Sequence, residues 1–66
     1  MTLTPLAAVC NTAACPAVFL DESGAIVIRG DQMDPPPAAV VLSPGEALVV
    51  IPPALLLEAA RRLGPL

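Results

Sequence analysis

The sequence contains no histidine, lysine, tryptophan or tyrosine, and Phe19 is its one aromatic residue. Each absence closes a class of function. Without His, Lys or Tyr, no side chain tuned near neutral pH can exchange protons opposite a carboxylate. Ser23 and Ser43 have no His to activate them, which excludes a conventional nucleophile triad. A metal site within one chain would lack its usual ligands. The cations are Arg29, Arg61 and Arg62, set against Asp21, Glu22, Asp31, Asp34, Glu46 and Glu58, for a net charge of −3. Phosphate backbones and anionic lipids are gripped by clusters of Lys and Arg. Direct contact with nucleic acid or a membrane surface is therefore not expected. Nor is an enzyme, a cofactor or a substrate. An acidic chain suits a basic protein partner instead.

What is abundant is small aliphatic surface, with 56% of residues hydrophobic. Sixty-six residues make a single domain, and a domain of this size buries only about 60% of the surface its unfolded chain exposes. Disulfides, metals and oligomerisation are the usual supplements. Two cysteines are too few for a disulfide framework, so oligomerisation is the expected one, most simply as a homodimer. No basic residue precedes Arg29, so the apolar residues 1–20 lack the charged start of a signal peptide. The same lack weighs against reading Thr12-Ala13-Ala14-Cys15 as a lipoprotein cleavage box. Pro44, Gly45, Pro52 and Pro53 interrupt the tract 38–57, which excludes a membrane helix of ~20 residues. The expected location is cytoplasmic.

Residues 1–14 show no period and are punctuated by Thr4-Pro5 and Asn11-Thr12, which reads as an irregular arm. A single small α+β domain is expected over 15–66. Ala17-Val18-Phe19-Leu20 and Ala25-Ile26-Val27-Ile28 flank Asp21-Glu22-Ser23-Gly24, a hairpin signature with Gly24 in the left-handed position. Residues 30–38, with Pro35-Pro36-Pro37, form an extended surface connection. Val40-Val41-Leu42 and Ala47-Leu48-Val49-Val50-Ile51 flank Ser43-Pro44-Gly45-Glu46. Pro-Gly favours a type II turn there, and a second hairpin or a wider turn is expected. Residues 54–63 form a helix with Pro53 at its first position. Leu55, Leu56, Ala59, Ala60 and Leu63 mark one buried face. Leu57 falls on the polar side, Gly64 stops the helix and Pro65 forbids continuation.

The fold expected is thus two β-hairpins in a small, mostly antiparallel sheet with one C-terminal helix. The strands are apolar on both faces, and one helix covers one of them. The second cover is another copy or a different protein. The candidate interface residues are Phe19, Ile26, Ile28, Arg29, Val49, Ile51 and Leu57. Arg is enriched at interface hot spots, although an edge-strand Arg also discourages aggregation. Cys10 and Cys15 could form a local disulfide, or supply half of a metal- or small-ligand-binding site shared by two chains. They are read first as small hydrophobes.

Cys15-Pro16-Ala17-Val18-Phe19, Asp21 through Gly24, Val27-Ile28-Arg29-Gly30-Asp31, Val41-Leu42-Ser43-Pro44-Gly45-Glu46 and the closing helix together resemble a known family. It comprises small actinobacterial companion proteins encoded beside Xre-type helix-turn-helix regulators, the WhiJ-associated companions among them. The resemblance implies a non-enzymatic partner of a transcriptional regulator, with no catalytic residues to carry over. Val49-Val50-Ile51-Pro52-Pro53 leading into the helix also looks like the strand–Pro–helix step of AbrB-type dimers. That likeness implies an alternative, a DNA-binding dimer.

Overall fold

The computed structural model describes residues 2–10 and 15–64. The fold is α+β. Strands β1 (Leu3–Ala8), β2 (Ala17–Asp21) and β3 (Ile26–Arg29) form an antiparallel sheet in the order β1-β2-β3. Strands β4 (Asp31–Gln32) and β5 (Val49–Val50) form a separate two-stranded ribbon, and helix α1 (Pro53–Leu63) closes the chain.

The β2–β3 hairpin forms as its sequence predicts. Gly24 takes φ 91°, the Asp21 amide donates to the Ala25 carbonyl at 2.9 Å and the Gly24 amide to the Asp21 carbonyl at 3.1 Å. Asp21 also organises the loop: its Oδ1 accepts from the Ser23 amide, the Ser23 hydroxyl and the Ala25 amide at 2.7–2.9 Å. Those hydrogen bonds, the Ser23 hydroxyl first, hold the Asp21 carboxyl below its ordinary value.

The irregular arm expected over residues 1–14 is not what residues 3–8 form. They pair with β2 from Leu3↔Asp21 to Ala8↔Ala17, and the register slips between Pro5 and Ala7, leaving Leu6 as an extra residue. This bulge turns Leu6 and Ala7 inward together. It thereby erases the alternation by which a strand is recognised in sequence. Pro5 lies opposite Phe19, a residue that pairs with Val27 on β3. Phe19 therefore directs its own backbone groups to β3, and the imide nitrogen of Pro5 faces outward, where no donor is needed. Residues 11–14, including most of the Thr12–Cys15 box, and Pro65 lie outside the described residues.

Of the two outcomes expected around residues 43–46, a tight hairpin or a wider turn, the wider one forms. The Ser43–Glu46 turn forms, with Gly45 at φ 87° and the Glu46 amide donating to the Ser43 carbonyl at 3.0 Å. Its flanks do not pair across it. Val49 and Val50 pair instead with Gln32 and Asp31, and the Met33 amide donates to the Leu48 carbonyl at 2.8 Å. Gly30 permits this wider closure. A Cβ on Gly30 would come within 2.6 Å of the Val50 carbonyl oxygen and 2.9 Å of Ile51 Cγ2, so a side chain would push β5 away.

Helix α1 begins at Pro53, as expected, and ends where the Gly64 amide donates to the Ala60 carbonyl. Arg61 and Arg62 in the last turn complement its dipole. The helix packs on β1 and β2. Leu6, Ala7, Val18, Leu55 and Ala59 form the core, with Leu20, Ile51 and Leu63 packed against it. The expected helical face is corrected at Leu56 and Ala60, which are exposed. Among the described residues no polar side chain is buried. No described helix is long and apolar enough to cross a membrane.

Candidate interaction surface

The alternation of β2 and β3 decides which side chains share a face. Val18 and Leu20 face the helix, so their register partners Ile28 and Ile26 do too. Because α1 sits over β1 and β2, these two isoleucines extend beyond its cover and are 38% and 43% exposed. An open cavity of about 110 Å³ runs between the helix and the sheet beside them. Leu6, Val18, Ile26, Leu56, Ala60 and Leu63 line it, together with Ala59. Leu6, Leu56, Ala60 and Leu63 were not among the interface candidates. Leu6 is hidden in sequence by the bulge, and Leu56 reads as core until the docking angle of α1 is known.

Phe19 and Arg29 lie on the opposite face. Phe19 is half-buried, and the Arg29 guanidinium carbon stands 5.5 Å from its ring centroid. The Nε of Arg29 donates to the Cys15 carbonyl at 2.9 Å. Val49 is exposed on β5, and Ile51 is half-buried against the core. Leu57 is 65% exposed on the outer side of α1. The seven candidates thus divide among both faces of the sheet, β5 and the helix. Of them Ile26 lines the cavity, and Ile28 stands two residues further along the same face of β3.

Cys10 and Cys15 are joined as a disulfide with Cα atoms 5.8 Å apart, within the usual span. The reading of them as small free hydrophobes is corrected. The antiparallel ends of β1 and β2, held by the Val9 amide on the Pro16 carbonyl at 3.1 Å, bring them together. Paired in this way, the two sulfurs are not thiolates and cannot ligate a metal. No cluster of three or more His, Cys, Asp or Glu able to hold a metal occurs among the described residues.

No protein-family model matches this chain, and neither curated proteins nor solved structures give a match.

Proposed function

We propose that this chain is a non-enzymatic accessory protein that acts by protein–protein contact. It associates with a second copy of itself and binds a basic, helix-turn-helix transcriptional regulator. The observation that carries the reading is the exposure of Ile26 and Leu56 at the open apolar cavity, with Ile28 exposed on the same face of β3. Exposed apolar side chains gathered at the mouth of an open apolar cavity are the kind of surface through which a small domain binds another protein. The acidic balance of the chain supplies complementarity to a basic partner.

The test is capture from the native host with two baits, the wild type and an Ile26→Glu/Leu56→Glu double variant. Specific recovery of a regulator by the wild type and its loss with the variant support the reading. Equal recovery by both baits, or recovery of no specific protein, overturns it.

A cytoplasmic location belongs to the same proposal, because a transcriptional regulator is met there. Cytosolic thiols are kept reduced, so rapid alkylation of living cells is informative. Alkylated Cys10 and Cys15, with the bridge closing only once the cells are opened to air, support that placement. A fully bridged pair moves the protein to an oxidising compartment and removes the regulator as its partner.

A further inference from the structure

Resting on the reading of this chain as an interaction protein, we propose that the free edge of β3 is a homodimer seam. Two copies pair β3 against β3, antiparallel, about a two-fold axis at Val27, and so join two three-stranded sheets into one of six strands.

The backbone selects this edge. Asp21 and Ala25 are a hydrogen-bonded pair, so by alternation Phe19↔Val27 and Ala17↔Arg29 are hydrogen-bonded pairs as well. The N–H and C=O groups of Ile26 and Ile28 therefore point away from β2, at an edge where no strand is paired among the described residues. The other outer edge, on β1, lacks a donor at Pro5 and is bent by the bulge at Leu6, two devices that discourage strand addition. Strand β3 has neither.

The register follows from matching those outward groups. With the axis at Val27, Ile26 stands opposite the partner's Ile28 and Ile28 opposite the partner's Ile26. All outward groups of the two residues are then used, in four backbone hydrogen bonds. Both isoleucines lie on the helix side, so each dimer sheet gains two apolar cross-strand pairs there. With the axis at Ile28, Ile26 would face the partner's Gly30 and the match would be lost.

Charge favours the same occupant. Arg29 ends β3 and the acidic turn Asp21-Glu22 precedes it, so antiparallel pairing sets each Arg29 across from the partner's Ala25, beside that turn. Among the described residues the ion pair is Arg62–Glu58, and Arg29 makes none. The Arg29 guanidinium rests against β2, over Phe19 and on the Cys15 carbonyl. The complementarity therefore acts between the ends of the paired strands without a preformed ion pair. A second copy brings negative charge to the positive end of the strand and positive charge to the negative end.

The experiment combines light scattering with cysteine cross-linking of the full chain. The wild type at micromolar concentration is expected to have twice the 6.7 kDa chain mass. Directly opposed, non-hydrogen-bonded residues sit about 4.5 Å apart at Cα, so V27C should form a covalent dimer under mild oxidation. R29C is the control, because its two copies would lie four positions out of register, roughly 13 Å apart. Ile28→Pro removes one outward donor and is expected to halve the mass with the far-UV circular dichroism unchanged. A monomeric wild type, a V27C that cross-links no better than R29C, or a folded Ile28→Pro that stays dimeric would each overturn the seam. If Ile28→Pro fails to fold, the two cysteine variants decide. A monomeric wild type that still captures its regulator ends the seam and the self-association, and leaves the regulator-binding half of the functional reading standing. A β3-linked dimer that captures none supports the seam and ends that reading.

Discussion

Strands β1 and β3 both border the sheet with β2 as their single neighbour, yet their outer edges differ in every respect that governs strand addition. β1 carries Pro5 with its nitrogen turned outward, a bulge at Leu6, a disulfide at its end and the helix across its inner face. β3 is regular and lies beyond the helix, with Ile26 and Ile28 exposed. The difference teaches that the apolar excess of this chain is distributed with a direction. One edge is closed by backbone chemistry, and the other is left as an ordered template with an open apolar cavity beside it.

The comparison can be broken at its foundation by Leu55→Ala, which removes the buried side chain through which α1 holds β1. A loss of about 3 kcal/mol is expected, enough to unfold much of so small a domain, and denaturant titration measures it. If Leu55→Ala left the midpoint unchanged, the covered edge would owe nothing to the helix. Next in size is Gly30→Ala at the joint between β3 and β4. Its Cβ would meet the Val50 carbonyl oxygen, and overpacking of that kind costs about 2 kcal/mol. Amide exchange should show β4 and β5 released first while the β2–β3 hairpin persists.

Pro5→Val sharpens the contrast with little change in stability, about 0.5 kcal/mol or less. It restores an outward donor on β1 and should turn a discrete assembly into larger ones by light scattering. An unchanged mass distribution would assign the protection of β1 to the bulge alone.

The smallest effect concerns the loop that leads into β3. The Asp21 carboxyl is held below its ordinary value of 3.8 by the hydrogen bonds it accepts. Its stabilisation is therefore fully present above 3.8 and is lost as pH falls through the lowered folded value. Asp21→Asn should flatten that acid limb of the stability profile, and a limb identical to wild type would show that the loop does not depend on the charge.

Much of this was legible in the residues. Asp21-Glu22-Ser23-Gly24 between β-branched runs specified the hairpin, because a turn with a left-handed glycine is encoded locally. Pro53, the 55–59–63 spacing and Gly64 specified the helix for the same reason. The candidate surface was half legible: Ile26 and Ile28 were named from their strand, whereas Leu6 and Leu56 were not. Leu6 sits in a bulge, which has no periodic signature. Leu56 is assigned to core or surface by the angle at which α1 docks. The wider turn was left open beside a tight hairpin. The partner of Val49-Val50 was not legible because Asp31-Gln32 is polar and short, and Gly30 reads in sequence as a breaker rather than as room for a neighbouring backbone.

By itself, the sequence determined that this is a small acidic α+β chain with few groups for chemistry and more apolar surface than it can hide. These properties are sums over composition and local pattern, and they hold whatever the elements pack against. Only the tertiary structure decided which edge is closed, that the two cysteines meet and which isoleucines stay in solvent. Those outcomes depend on register and docking angle, where a slip of one residue turns every side chain to the other face.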